Sequence, residues 1–312
     1  RLRQAGLEFS VIEKSDQVGD AWHRHYDRLH LHTVKQLSHL PGLDFPEQYP
    51  RYVPRKELAD YYSRYADVFS IEPMFGEAAE EIVPSGDKWL TTTQGGLEIS
   101  SDHVVVATGL NRVPQKPSYA GEDEFAGRRI HARDYREPGP FAGQRVLVVG
   151  MGNTGAEIAL DLSEAGVDTA ISVRGPINIV PLDVPGRPTQ LTARMLARLP
   201  TGLADWLGSL LRRITVGDLT GYGIATPEIA PLAQLRVEGK TPVIDVGTVS
   251  RIKKGLIAVR PGIDHFEADM VVFTDGRKDR YDAVIFATGY RPMLEEILNA
   301  GDDALDEKGL PI

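Results

Sequence analysis

Three glycines, Gly150, Gly152 and Gly155, stand in the spacing G-x-G-x-x-G within the run from Val146 to Ala159. That spacing suits a backbone cradle for a pyrophosphate. The first glycine turns the chain, the second admits the phosphates, and the third lets a helix close on a strand. Free N–H groups at the helix start, Thr154 among them, would meet the negative charge. Asn153 sits inside the turn, where its amide either reaches a bound cofactor or only shapes the turn. A lone glycine triplet is a weak signal, so the flanking residues decide.

Arg145 to Val149 is apolar and β-branched, which predicts a buried parallel strand. From Thr154 to Ala165 the residues Ile158, Leu162 and Ala165 recur at helical spacing, with Gly166 as the stop. A second strand, Thr169 to Val173, follows and ends at Arg174. An acid at that terminus would hold a ribose 2′-hydroxyl, whereas an arginine accommodates a 2′-phosphate. Arg174 therefore predicts NADPH.

Near the start, Arg1 to Gly6 reads as the last turn of a helix and Glu8 to Ile12 as a strand ending in Glu13. This is the second half of another dinucleotide unit, in which Glu13 would hold a ribose hydroxyl. Its glycine loop is expected upstream of Arg1, and Glu307 to Ile312 breaks off within a pattern, so segments are expected to be missing at both ends. An internal echo supports two related modules. Asp102 to Leu110 repeats as Asp282 to Tyr290, each an apolar run into Ala-Thr-Gly, and Pro114 and Pro292 follow. Thr108-Gly109 and Thr288-Gly289-Tyr290 would bring backbone close to a cofactor. Trp89 to Thr93, Leu97 to Ile99 and Val271 to Thr274 predict short antiparallel strands.

The predicted fold class is α/β: two Rossmann-like three-layer domains with small antiparallel β insertions. Residues 1–137 plus 281–312 would form one dinucleotide-binding domain, with an NADPH-binding domain, 138–280, inserted in it. Within the insert, 181–235 carries a helical stretch whose Leu199, Leu203, Trp206, Leu207, Leu210, Leu211 and Ile214 predict one apolar face. Packing against the modules is the favoured role for that face. A membrane-surface helix is the weaker reading, prompted by Arg212 and Arg213.

With 312 residues the chain has room for two domains, and its formal net charge of −9 offers no general attraction to nucleic acid or anionic lipid. It has no cysteine, which excludes disulfides, thiolate metal sites and dithiol redox chemistry. No apolar run approaches the ~20 residues of a membrane helix, and no secretory signal pattern is visible. The cytoplasm is the expected compartment. His23, His25, His30 and His32 crowd one segment, yet no acid or cysteine falls at ligand spacing, so no metal is expected.

The run Phe125 to Tyr135, with Gly127 and His131, resembles the signature F-x-G-x-x-x-H-x-x-x-[FY] of the class B flavin-containing monooxygenases. The likeness covers nearly the whole chain and is strongest to the YUCCA-like branch. Tyr26 to His32, Lys35-Gln36, Phe45-Pro46 and Lys240 to Gly247 are similar to that branch. Val18 to Trp22 looks like the family's flavin-side G-G-x-W, with Asp20 in place of the second glycine. Tyr135 stands where Baeyer–Villiger relatives carry tryptophan, and His32 where the animal enzymes carry asparagine near the flavin.

The resemblance implies FAD on the first module, NADPH on the second, and O₂ with a small organic molecule as substrates. Oxygen would pass through a C4a-hydroperoxyflavin, with indole-3-pyruvate or another 2-keto acid as a candidate acceptor beside N- or S-oxidation. Candidate cofactor-binding residues are Glu13, Lys14, Trp22, His32, Gln36, Thr108, Gly109, Gly150, Gly152, Asn153, Thr154, Gly155, Arg174, Thr288, Gly289 and Tyr290. No catalytic acid or base is assigned, and His131 is given a structural or coupling role. Two other classes stay open: an FAD-dependent NADPH oxidase or reductase without oxygen insertion, and a non-catalytic nucleotide-binding redox sensor. A homodimer is also left open.

Overall fold

The computed structural model describes residues 2–184, 186–301, 304–306, 309 and 310. Arg1, Glu307, Lys308, Pro311 and Ile312 of the expected terminal patterns lie outside the described residues. The chain forms two compact units. One comprises 1–24, 55–115 and 289–312, the other 25–54 and 116–288.

The second unit is built on a five-stranded sheet in the order Ile257–Arg260, Asp168–Ser172, Arg145–Val149, Ala283–Phe286, Arg128–His131. Every neighbouring pair is parallel. Val146 to Val149 are at most 5% exposed, so both faces of the sheet are covered, as the continuous apolar run predicts. Val146, Val148 and Ile285 join a core with Ile158, Ala159 and Leu162 of the helix Asn153–Glu164. Leu147, Val149 and Phe286 point the other way, into a core with Phe125, Phe266 and Phe273. That second layer is an antiparallel sheet of Ile263–Glu267, Met270–Phe273 and Lys278–Arg280. The result is a three-layer Rossmann-like unit with an antiparallel insertion. Two of its five parallel strands, Arg128–His131 and Ala283–Phe286, lie outside the expected 138–280 insert. Ladder pairing decides where a sheet ends, and linear hydropathy does not report it.

The first unit packs the helix Arg55–Val68 through Leu58, Ala59 and Tyr61. It also carries the expected antiparallel strands as Lys88–Thr93 and Glu98–Ser101, with a third, Ala79–Ser85, that was not expected. The predicted strand Glu8–Ile12 is shorter than expected, because only Ile12–Glu13 forms a ladder, parallel to Met74–Phe75. The two copies of the echo also differ. Ala283–Phe286 is a central strand, whereas 103–108 has no strand assignment and Val105 is 76% exposed. An apolar run predicts extended chain, but a strand also requires a neighbour to complete its hydrogen bonds.

The helical stretch forms as Thr189–Leu196, Thr201–Thr215 and Pro231–Glu238. Its expected single apolar face divides. Ala204 is buried and Leu207 and Leu211 are half-buried, while Leu199, Leu203, Trp206, Leu210 and Ile214 are exposed. At 3.6 residues per turn, 203, 206, 210 and 214 fall on one side of the helix and 204, 208 and 211 on another. No helix among the described residues is long and apolar enough to cross a membrane.

Candidate functional site

The sequence dictates a sharp turn after Val149, and Gly150 makes it at φ +99°. Its N–H donates to the Ser172 carbonyl at 3.0 Å, and the N–H of Ala287 donates to the Val149 carbonyl at 2.9 Å. The turn therefore lies at the carboxyl ends of three adjacent strands, where the order steps from Arg145–Val149 to Ala283–Phe286. Ligands of open α/β sheets bind in the crevice at such a switch point. A Cβ on Gly150 would stand 2.7 Å from the Ala287 carbonyl oxygen, and one on Gly155 only 1.9 Å from the Gly150 carbonyl oxygen. Both glycines are thus demanded by packing.

Gly152 differs. A Cβ there meets nothing within 4 Å, and this residue caps the helix Asn153–Glu164 without any side-chain hydrogen bond. The first N–H groups of an α-helix have no partner inside the helix. The turn therefore combines open space, uncapped donors and the positive end of the helix dipole, which fit a pyrophosphate. Asn153 Oδ1 accepts the Ile244 N–H at 2.7 Å, tying the turn to the strand Val243–Asp245. This contact matches the turn-shaping reading of Asn153. Thr154 lies in the first helical turn, and Thr288 N comes 3.9 Å from the Cβ position of Gly150.

Arg174 follows the strand Asp168–Ser172, is exposed, and forms no ion pair among the described residues. Its aliphatic stem lies against Gly262, whose Cβ position is 3.5 Å from Arg174 Cγ. Burial raises the Tyr119 phenol above its usual range, and the positive charge of Arg174 nearby opposes that shift. An unpaired guanidinium at the end of this strand fits a 2′-phosphate.

The remaining candidates divide between the two units. In the first, the Glu13 carboxylate accepts the Ser15 N–H at 2.9 Å, and Lys14 is exposed. Trp22 lies in the short helix Asp20–His23, entered through Gly19 at φ +71°. Asp20 pairs with Arg24 at 2.7 Å, so the residue replacing a glycine serves as a first-turn acid. Gly109 and Gly289 both have positive φ, Thr108 is exposed, and Tyr290 pairs with Pro114 in a two-residue ladder. In the second unit, His32 Nε2 stands 3.3 Å from Glu157 Oε2, and Gln36 is exposed in a short 3₁₀ turn.

The signature Phe125 to Tyr135 has a structural cause at each fixed position. Phe125 packs edge-on against Phe266 with ring centroids 5.1 Å apart. A Cβ on Gly127 would come within 2.5 Å of the Phe125 ring and 2.9 Å of the Asp282 carbonyl oxygen, so a glycine is required. His131 is 1% exposed and its Nδ1 accepts the Arg133 N–H at 3.1 Å, capping the short turn Ala132–Asp134. Tyr135, also 1% exposed, donates its hydroxyl to Asp161 at 2.7 Å. Burial, and then this hydrogen bond, push the Tyr135 phenol far above its usual range. Burial also raises the Asp161 carboxyl, against the lowering effects of Tyr135 and Arg28.

Sequence reasoning missed Glu157, which is 3% exposed and accepts the Tyr26 hydroxyl at 2.8 Å. The signal was present: Glu157, Asp161 and Glu164 recur at i, i+4 and i+7, and the first of them falls among the buried residues of the helix.

Comparison with known proteins agrees with this geometry. The profile of the flavin-binding monooxygenase-like family matches residues 4–303. The chain is 35% identical over 313 residues to indole-3-pyruvate monooxygenase YUCCA1 of Oryza sativa subsp. japonica, covering 99% of this chain and 77% of that protein. It is 38% identical over 298 residues to the probable indole-3-pyruvate monooxygenase YUCCA9 of Arabidopsis thaliana, covering 93% and 71%. Among solved structures it matches a flavin-containing monooxygenase from Stenotrophomonas maltophilia with a TM-score of 0.75 at 23% identity, over 100% of this chain and 79% of the other. It also matches an NADP⁺-bound cyclohexanone monooxygenase from Rhodococcus sp. Phi1 with a TM-score of 0.72 at 18% identity, over 99% and 70%. The chain belongs to the flavin-binding monooxygenase-like family.

Proposed function

We propose that this enzyme oxygenates a small 2-keto acid of the indole-3-pyruvate type, releasing its carboxyl group as CO₂. The observation that carries this reading is the likeness, over 99% of the chain, to an indole-3-pyruvate monooxygenase. The reaction balances as keto acid, O₂, NADPH and one proton giving the shortened carboxylic acid, CO₂, NADP⁺ and water. Bound FAD would supply the redox chemistry and oxygen activation.

The protein's own share is binding, orientation and exclusion of water. Gly152 and Thr154 would meet the NADPH pyrophosphate in the turn that Gly150, Asn153 and Gly155 shape, and Arg174 would meet its 2′-phosphate. Glu13 and Lys14 would face the FAD ribose, with Trp22, His32 and Gln36 on the flavin side. Thr108-Gly109 and Thr288-Gly289-Tyr290 would pass close to the cofactors. On this reading 1–137 with 281–312 serves FAD and 138–280 serves NADPH, as sequence alone suggests. The absence of cysteine fits a reducing cytoplasm.

The test is turnover of the FAD-loaded full-length protein with NADPH, ¹⁸O₂ and a panel of 2-keto acids, amines and sulfides. One labelled oxygen in the shortened acid, with CO₂ matching NADPH consumed, is the expected result. Hydrogen peroxide equal to the NADPH consumed, with no shortened acid formed once catalase is added, would identify an oxidase instead. Label in an amine or sulfide alone would move the substrate class.

Arg174→Ala is expected to weaken NADPH binding by roughly 10- to 100-fold, the worth of a charge-assisted contact, and to leave NADH within about threefold. Equal losses for the two nucleotides, measured by titration, would remove Arg174 from the 2′-phosphate site.

A further inference from the structure

The helix Asn153–Glu164 begins at the pyrophosphate turn and is gripped along its length by a polar seam. One turn below Gly152, the Tyr26 hydroxyl donates to Glu157 Oε2 at 2.8 Å, and His32 Nε2 lies 3.3 Å from the same oxygen. Further along, Tyr135 donates to Asp161 at 2.7 Å, and Arg28 is hydrogen-bonded to Glu164 with Asp161 4.0 Å away. Backbone contacts anchor the start of the same segment. Asp27 N–H donates to the Arg136 carbonyl at 2.9 Å, and the Arg136 guanidinium donates to the His25 carbonyl at 2.9 Å.

Glu157 is the unusual member. A carboxylate 3% exposed inside a nucleotide-binding helix carries a desolvation cost that an apolar residue would avoid. Asp161 and Glu164 hold the helix without such burial. What Glu157 adds is direction: it accepts a hydrogen bond from Tyr26, and His32 Nε2, six residues on in the same segment, lies near the same oxygen without hydrogen-bonding to it. That segment runs on to Gln36, and His32 and Gln36 are its flavin-side residues in the proposed function.

We infer that Glu157 is a positioning residue for hydride transfer, holding the segment 26–36, through Tyr26, in register with the helix that starts at the pyrophosphate turn. The inference rests on the cofactor placement proposed above. Glu157 touches no reacting atom in this role. It sets the relation between the part of the unit that receives NADPH and the part that faces the flavin, where an error of about 1 Å can cost roughly 100-fold in rate.

The test uses FAD-loaded full-length protein with Glu157→Gln, Tyr26→Phe, their double variant, and Tyr135→Phe for comparison. Tyr26→Phe keeps the buried ring, and Glu157→Gln keeps the side-chain length. Hydrogen–deuterium exchange is expected to speed up across 26–36 in the first two variants while the rest of the chain keeps its protection. Stopped-flow reduction by NADPH is expected to slow at least tenfold at saturation, with the NADPH KM within about threefold. The double variant is expected to be no slower than the slower single one, because both remove one contact. Tyr135→Phe, which loosens the same helix from another loop, is expected to reduce at a near wild-type rate.

Unchanged exchange across 26–36 would overturn the structural link. Faster exchange with an unchanged reduction rate, or an equal slowing in Tyr135→Phe, would overturn the positioning role. A wild-type protein whose flavin NADPH cannot reduce would instead sink the functional reading, and the exchange result would still decide whether Glu157 holds the segment.

Discussion

Replacing Gly155 with valine is expected to destroy NADPH binding and to lower the unfolding midpoint in the same variant. The first added atom would stand 1.9 Å from the Gly150 carbonyl oxygen and 3.1 Å from the Ala287 Cβ. A backbone oxygen cannot swing aside as a flexible side chain can, so the helix must withdraw from the strand Arg145–Val149. Ile158, Ala159 and Leu162 move with it, and all three are fully buried against that strand's sheet. Overpacking of this kind costs ~3 kcal/mol or more, because the strain spreads through a close-packed core. The unfolding midpoint should fall by roughly 6 °C or more, and NADPH affinity should drop below detection by titration. A variant that keeps both its midpoint and its affinity would show that the turn is looser than its geometry states.

The same collision shows how much of the site was legible beforehand. The glycine spacing, the buried strand before it and the helical periodicity after it are local patterns, and each formed where the residues place it. The place of Arg174 just beyond a strand end was legible for the same reason. Fold class and family follow from such local features combined with the signature from Phe125 to Tyr135.

What sequence could not supply is partnership. Ala283–Phe286 and the run 103–108 look alike as text, yet the first has a strand on either side and the second has none. Nothing in either run reports its neighbours. The extent of the parallel sheet was likewise hidden, because the ladder reaches back to Arg128–His131 across a loop. Glu157 was passed over because a helix acid is ordinarily solvated, and its burial and its hydrogen bond from Tyr26 join residues far apart in sequence. The helix Thr201–Thr215 shows the opposite error. Its apolar arc is wider than its buried side, and periodicity alone could not divide the two.

Gly152→Val provides the second decisive result, and the expectation is that binding is lost while the fold persists. A Cβ at Gly152 meets no atom within 4 Å, and its φ of −81° with ψ of −175° is extended backbone open to any residue. The Cβ therefore meets no protein atom, and the unfolding midpoint should stay within about 2 °C of wild type, since an exposed substitution without strain changes little. The space the valine fills is the space a pyrophosphate needs in order to reach the uncapped N–H groups behind it. NADPH affinity should fall by about 100-fold or more, the loss of two or more charge-assisted hydrogen bonds. Tight NADPH binding in a folded Gly152→Val protein would move the nucleotide away from this turn. Gly155→Val alone cannot decide that point, because it removes the turn and the helix together. The two glycines, three residues apart, thus separate what the helix needs in order to pack from what the ligand needs in order to approach.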